Sequence, residues 1–119
     1  MPCSVLVVDD DPCFRELMRA LLVAWGYDVL GEAGSVGEAL SCADALGPDV
    51  VLVDVGLPDG DGVALAIQLH ALPWRPRVLL TSTDPEAVAA VDVTASGALG
   101  FLAKQDLPDA PLARLFAAS

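Results

Sequence analysis

The stretch "DVVLVDVGLPDGDG" at residues 49–62 decides the fold. Its first half is an unbroken run of valine and leucine at residues 50–53, which ends in a carboxylate, Asp54, and a turn rich in glycine and aspartate. A short apolar run without polar alternation is typical of a strand buried on both faces of a sheet. We therefore predict a central strand at residues 49–54 that carries Asp54 at its carboxyl end.

The same pattern recurs on both sides of this strand. We predict five strands, at residues 4–8, 27–33, 49–54, 77–82 and 98–104. A helix is predicted after each strand, between Pro12 and Gly26 and at residues 35–46, 62–72, 84–96 and 109–119. This alternation predicts an α/β fold with a doubly wound parallel sheet, because each parallel crossover needs a helix and is right-handed. The 119 residues are the size of one domain, which we expect to span residues 1–119.

The first two helices carry start signals. Pro12 suits the first turn of a helix, and Asp11 before it is interpreted as a cap. Ser35, with Glu38 three residues later, has the spacing of a capping box. One apolar stripe of the first helix is predicted to face the core, formed by Phe14, Leu17, Met18, Leu21, Leu22 and Trp25.

Polar residues end or follow four of the predicted strands. They are Asp9, Asp10 and Asp11 after the first strand, Asp54 in the third, Thr81 and Ser82 in the fourth, and Lys104 in the fifth. In open parallel sheets the functional crevice lies outside the carboxyl ends of the strands, where the strand order reverses. With the order 2-1-3-4-5 the first and third strands are neighbours, so Asp9, Asp10 and Asp54 are expected to converge.

Three converging carboxylates require a counter-charge. Two like charges about 4 Å apart repel by about 4 kcal/mol at an effective dielectric of about 20, and one lysine supplies too little positive charge. A site built of oxygen ligands selects Mg²⁺ or Mn²⁺ over zinc or copper. We therefore predict a divalent cation at this site. An aspartate beside such a cation can attack a phosphoryl group, and the Thr81 hydroxyl can then bind the new group.

Composition excludes several classes of partner. Seventeen acidic and six basic residues give a net charge of -11, which repels nucleic acid and anionic lipid, so we expect neither DNA nor a membrane to bind. Cys3, Cys13 and Cys42 are odd in number, widely spaced and without histidine neighbours, so we interpret them as core thiols in a reducing compartment. The early apolar run is too short for a signal peptide, and a cytoplasmic protein is expected.

Four motifs occur together in the order and spacing of one family. They are the acidic pair in "VVDDD", the strand-end aspartate with its "LPDGDG" turn, the threonine of "LLTST" and the lysine of "GFLAK". Asp10, Asp54, Thr81 and Lys104 are separated in turn by 44, 27 and 23 residues. Over its whole length the chain resembles the receiver domains of two-component response regulators. Gln105, where many receivers have proline, makes it similar to the receivers of LuxR/NarL-type regulators.

The resemblance implies a flavodoxin-like (βα)5 fold with strand order 2-1-3-4-5 and assigns roles to the acidic residues. Asp54 is implied to be the phosphoacceptor. Mg²⁺, or Mn²⁺, is implied to be bound by Asp10, by the Asp54 carboxylate and by the backbone carbonyl of Gly56, with Asp9 acting through water.

The same resemblance implies a switch and its partners. Lys104 is implied to bind the phosphoryl group, with Thr81 and Ser82 as switch hydroxyls and Phe101 as the aromatic ring that follows them. The phosphoryl group is implied to come from a histidine kinase, a phosphotransfer protein or a small phosphodonor. The face of the fourth helix, fifth strand and fifth helix is implied to pair with a second receiver, forming a homodimer, or with a target. Two alternatives stay open: a stand-alone receiver, or a receiver whose output domain, for example a regulator of transcription, lies outside this chain.

The residues themselves leave other functions open. A non-phosphorylated pseudo-receiver that acts by protein contact would retain most of this site. A metal-dependent aspartyl phosphohydrolase typically has a second acid two residues after its nucleophile, where this chain has Gly56. A flavin-binding relative would need a phosphate loop where this chain has aspartates, and a phosphohistidine carrier using His70 would be a helical bundle. Asp59 and Asp61 are interpreted as turn residues.

Overall fold

The computed structural model describes residues 3–82, 97–98 and 100–103. The predicted helices at residues 84–96 and 109–119 lie outside these residues, as do Lys104 and Gln105. The described part forms seven strands: β1 (Ser4–Val8), β2 (Asp28–Ala33), β3 (Val50–Asp54), β4 (Gly56–Leu57), β5 (Gly60–Asp61), β6 (Arg77–Ser82) and β7 (Gly100–Ala103). It also forms three helices: α1 (Pro12–Ala24), α2 (Val36–Leu46) and α3 (Gly62–His70).

Five of the strands form one sheet in the order β2-β1-β3-β6-β7, with every neighbouring pair parallel. Since β6 and β7 are the fourth and fifth strands of this sheet, the predicted order 2-1-3-4-5 is confirmed. The other two strands, β4 and β5, pair antiparallel as a small separate hairpin directly after β3. This hairpin was not predicted, because each of its strands has only two residues.

Each described helix begins at a side chain that caps it. The Asp11 carboxylate accepts a hydrogen bond from the Cys13 N–H at 2.9 Å, and the Ser35 hydroxyl accepts one from the Glu38 N–H at 3.2 Å. Both predicted caps are therefore confirmed. Helix α3 ends at His70, two residues earlier than predicted. Leu72 precedes a proline, and the residue before proline is driven away from helical geometry.

The described helices cover both faces of the sheet. One face packs against α1, with a core formed by Val5, Val7, Met18, Leu22, Val50, Leu52 and Leu79. The other packs against α2 and α3, and its buried residues include Leu6, Val8, Ala39, Ala43, Val51, Val53, Leu65, Ala66 and Leu69. Successive strand residues point to opposite faces, so a strand covered on both sides is apolar at every position. This is why residues 5–8 of β1 and residues 50–53 of β3 are unbroken apolar runs.

The predicted apolar stripe of α1 is too wide. Met18 and Leu22 are fully buried, whereas Leu17 and Trp25 are 50% and 39% exposed. Leu17 lies at one edge of the stripe, and Trp25 follows Ala24, the last residue of α1.

The expectation of three core thiols is wrong for Cys13. All three cysteines are free, but Cys13 is exposed on the first turn of α1, and Cys3 and Cys42 are half-buried. None of the three described helices is long and apolar enough to cross a membrane.

Candidate metal centre at the carboxyl edge of the sheet

Three aspartates meet where β1 and β3 end. These strands are adjacent, with Val8 paired to Val53, so the residues that follow, Asp9 and Asp54, lie side by side. Asp9 and Asp54 are 0% and 7% exposed, while Asp10 is exposed. One carboxylate oxygen from each of the three lies within 4.8 Å of the others. The predicted convergence of these three residues is confirmed.

The turn that carries Asp9 is held from several sides. The Asp9 N–H donates to the Ala33 carbonyl at 2.9 Å, which continues the pairing of β1 with β2. Its carboxylate accepts from the Asp11 N–H at 2.9 Å, and its carbonyl accepts from the Arg15 guanidinium. Arg15 is also bonded to Glu32 of β2. Sequence reasoning missed this role of Arg15; the signal available was Glu32, one of the two acids of β2.

Asp54 is aligned with the predicted switch hydroxyls. In the β3–β6 pairing Asp54 lies opposite Thr81, and the Val55 N–H donates to the Thr81 carbonyl at 2.9 Å. Thr81 and Ser82 are 1% and 7% exposed. The Thr81 hydroxyl is 3.5 Å from the Val53 carbonyl, a length at which a hydrogen bond is weak, so another acceptor could replace it at small cost.

The remaining predicted site residues differ in how the structure places them. Gly56 is exposed, and a Cβ built there would meet nothing within 4 Å; its N–H donates to the Asp54 carboxylate at 3.4 Å. Phe101 is half-buried on β7, opposite Leu80 of β6, and packs against the core. Lys104 lies outside the described residues.

Gly62 shows why the turn after Asp54 needs glycine. The first residue of α3 is Gly62, and its N–H donates to the Val55 carbonyl at 2.8 Å. A Cβ at this position would overlap the backbone of Asp54 and Val55. The last glycine of the "LPDGDG" turn therefore allows α3 to begin directly against the backbone of Asp54.

The donors at this edge suit a hard divalent cation. Mg²⁺ binds oxygen at about 2.0–2.1 Å, so two of its ligands lie up to about 4.2 Å apart. The 4.8 Å limit of the Asp9, Asp10 and Asp54 oxygens is close to that span. A bridging water at one residue would remove the difference. The three carboxylates therefore fit an oxygen-bound metal ion.

Comparison with known proteins agrees with the geometry. The sequence model of the response regulator receiver domain matches residues 5–115. This chain belongs to the response regulator receiver domain family. A putative transcriptional regulator of Pseudomonas aeruginosa is 34% identical over 103 residues, which cover 87% of this chain and 50% of that protein. The probable transcriptional regulatory protein NarL of Mycobacterium tuberculosis is 42% identical over 103 residues, covering 84% of this chain and 47% of that protein.

Solved receiver structures share the fold. A LuxR-family two-component response regulator from an Aurantimonas species has a TM-score of 0.88 at 27% identity, covering 99% of this chain and 85% of that chain. The receiver domain of Mycobacterium tuberculosis NarL has a TM-score of 0.79 at 35% identity, covering 98% of this chain and 92% of that one. The predicted flavodoxin-like fold and the LuxR/NarL-type resemblance are confirmed. The chain spans about half the length of the curated relatives it matches.

Proposed function

We propose that this receiver, spanning residues 1–119, accepts a phosphoryl group on Asp54 from a histidine kinase, a phosphotransfer protein or a small phosphodonor, and that the transfer depends on Mg²⁺ or Mn²⁺. The observation that carries the proposal is the meeting of Asp9, Asp10 and Asp54 within 4.8 Å at the carboxyl edge. Asp10, the Asp54 carboxylate and the Gly56 carbonyl would bind the cation, with Asp9 acting through water. When bound, the cation would neutralise charge on the transferring oxygens.

The residues of this chain then divide the chemistry. An Asp54 oxygen attacks the phosphorus of a phosphohistidine; a P–O bond forms while the P–N bond breaks, and the leaving imidazole takes up a proton. The Gly56 N–H, 3.4 Å from the Asp54 carboxylate, helps to orient it. Lys104 would bind a second phosphoryl oxygen, as the family resemblance implies. The hydroxyls of Thr81 and Ser82 are buried at the adjacent strand end.

Transmission of the signal would begin at Thr81. A phosphoryl group adds about 1.5–2 negative charges and strong acceptor oxygens, which draw the Thr81 hydroxyl away from its weak 3.5 Å contact with Val53. Movement of Thr81 at the end of β6 would leave room for the ring of Phe101 on the adjacent strand β7. The face of the predicted fourth helix, fifth strand and fifth helix would respond and would contact a second receiver or an output domain. Several relatives are transcriptional regulators, so we propose control of transcription as the output.

Phosphorylation by acetyl phosphate or phosphoramidate tests the proposal. With Mg²⁺ present the chain should be labelled, and chelation of the metal or Asp54→Asn should abolish the labelling. Asp11→Asn is the matched control, because Asp11 is a neighbouring carboxylate that caps α1; this variant should still be labelled. Labelling of Asp54→Asn at the level of the unmodified chain would contradict the assignment of the phosphoacceptor.

Labelling, together with an assay for turnover of small phosphate esters, separates the competing functions. A pseudo-receiver would not be labelled under any condition. An aspartyl phosphohydrolase would turn over small phosphate esters repeatedly, which we do not expect, because Gly56 stands where a second acid would be needed. The receiver proposal predicts labelling without such turnover of small esters.

A further inference from the structure

The β4–β5 hairpin beside the candidate metal centre is tied to helix α2 by Asp59. One Asp59 carboxylate oxygen accepts a hydrogen bond from the Val36 N–H at 2.7 Å, and the other accepts one from the Gly37 N–H at 3.2 Å. These are the first two residues of α2, and they lie 23 and 22 residues from Asp59 in the chain. Asp59 was predicted to be a turn residue, and its bonds to another helix are an additional role.

Asp59 completes the capping of α2. The first N–H groups of a helix have no partner within the helix. In α2 the N–H groups of Val36 and Gly37 donate to Asp59, and that of Glu38 donates to the Ser35 hydroxyl. The bonds from Val36 and Gly37 also lower the pKa of Asp59, which keeps the side chain ionised. The contact between the hairpin and α2 is therefore charged and made by both carboxylate oxygens.

The segment from residue 55 to residue 62 is thus held at two points, with Gly56 between them. At its base, Gly62 lies against the backbone of Asp54 and bonds to Val55. At its tip, Asp59 bonds to α2, and a Cβ at Gly60 would lie 3.1 Å from a methyl carbon of Val36. Gly56 itself has open space around its Cβ position. Its orientation must therefore come from the hairpin rather than from side-chain packing of its own.

We propose that Asp59 is a positioning residue that orients the Gly56 carbonyl toward the metal through the β4–β5 hairpin, so that its bond to α2 sets the affinity of the site for Mg²⁺. This inference rests on the proposed function, in which the Gly56 carbonyl is a metal ligand. The hairpin provides the path, because Gly56 of β4 is paired with Asp61 of β5, two residues beyond Asp59. Loss of the tip contact would leave the ligand carbonyl held from one side only.

Two substitutions of Asp59 separate geometry from charge. Asp59→Asn and Asp59→Ala remove the same negative charge, but asparagine keeps one acceptor oxygen for the first turn of α2. Isothermal titration with Mg²⁺ should show about tenfold weaker binding for Asp59→Ala, as is typical when a residue supporting a metal ligand is lost, and less than about threefold weaker binding for Asp59→Asn. Loss of the negative charge alone would weaken Mg²⁺ binding equally in both variants.

A substitution on the donor side tests the same bond without any change of charge. Val36→Pro removes the N–H that bonds to Asp59, at the first helical position, where proline is favoured. The preceding residue, Ser35, has φ -154° and ψ 167°, which a following proline accepts. Val36→Ala is the control, because it shortens the side chain but keeps the N–H. We expect weaker Mg²⁺ binding for Val36→Pro but not for Val36→Ala, and little further loss when Val36→Pro is combined with Asp59→Ala.

The results distinguish this inference from the proposed function. If the unmodified chain binds no Mg²⁺, the metal site and this inference both fail. If it binds Mg²⁺ and Asp59→Ala, Asp59→Asn and Val36→Pro bind it as tightly, only the inference is overturned, even where the variants unfold more easily. Equal weakening by Asp59→Ala and Asp59→Asn would also overturn it, because charge alone would then explain the effect. The inference is supported if Asp59→Ala weakens Mg²⁺ binding more than Asp59→Asn does and Val36→Pro also weakens it.

Discussion

Strand β3 has an aspartate at each end, and the two meet opposite surroundings. Asp49, directly before the strand, is exposed, and its carboxylate accepts hydrogen bonds from the N–H and the hydroxyl of Ser4 at 3.1 and 3.0 Å. Asp54, the last residue of the strand, is 7% exposed and lies with two other carboxylates. One aspartate therefore has neutral donors as partners, whereas the other lies among like charges.

The neighbouring strands cause this difference. At the amino ends, the Asp49 N–H donates to the Ser4 hydroxyl at 2.9 Å, and the Asp49 carbonyl accepts from the Arg77 N–H at 2.9 Å. At the carboxyl ends, β1 contributes Asp9 and Asp10. An arrangement that gathers like charges opposes stability, and such arrangements are expected at functional sites. The comparison predicts that mutations at the two ends of β3 will have different effects.

The largest effect on stability is expected at Gly62, which packs against the carboxyl end of β3 and not against its amino end. Gly62→Ala would force a Cβ into the backbone of Asp54 and Val55. We expect a loss of about 1–3 kcal/mol in the free energy of unfolding, the usual cost of overpacking, together with weaker Mg²⁺ binding. Urea denaturation and calorimetric titration measure these. Gly56→Ala is the control for stability only, because its Cβ enters open space but its carbonyl is a proposed metal ligand. Equal stability of the two variants would refute the close approach at Gly62.

Substitutions at the two ends should change stability in opposite directions. Asp49→Ala removes the acceptor of two hydrogen bonds from Ser4 and should lower the free energy of unfolding by about 1 kcal/mol. Asp10→Asn relieves repulsion at an exposed position and should raise it by about 1 kcal/mol without metal. Added Mg²⁺ should stabilise the unmodified chain and Asp49→Ala, but Asp10→Asn much less. Destabilisation by Asp10→Asn in the absence of metal would break the comparison.

Thr81→Ala sharpens the comparison at the carboxyl end by separating acceptance of the signal from its transmission. Thr81 lies opposite Asp54 but does not belong to the cluster of Asp9, Asp10 and Asp54. Labelling of Asp54 should persist at a similar level, while the phosphorylation-dependent change at Phe101 should be reduced. Chemical-shift differences with and without beryllofluoride report this change. If Thr81→Ala and the unmodified chain respond alike, the proposed coupling is wrong.

The smallest effect concerns acid stability and involves Asp59. Hydrogen bonds from the N–H groups of Val36 and Gly37 lower its pKa in the folded state below the ordinary value of 3.8. The ionised form is therefore favoured by folding, and its contribution is present above that value and lost as the pH falls through the folded-state pKa. The stability difference between the unmodified chain and Asp59→Asn should be constant near neutral pH and shrink below about pH 4. A difference that does not change in acid would contradict this role.

Local patterns predicted much of the fold. The apolar runs of β1 and β3 follow from burial on both faces, and the caps at Asp11 and Ser35 follow from side chains that reach N–H groups two or three residues away. The site at the carboxyl ends followed from a general rule about parallel sheets, which brings Asp9 and Asp54 together although they are far apart in the chain.

The sequence by itself determined the alternation of strands and helices, the helix starts and the acidic strand ends, because these depend on residues within one or two turns of each other. Only the tertiary structure decided which way Leu17 faces, that Arg15 holds the Asp9 carbonyl, and that Asp59 caps a helix 22 residues earlier in the chain. These contacts join separate elements across the edge of the sheet. They depend on how helices and hairpins pack, and a carboxylate that starts a turn has the same local sequence whether or not another helix lies within its reach.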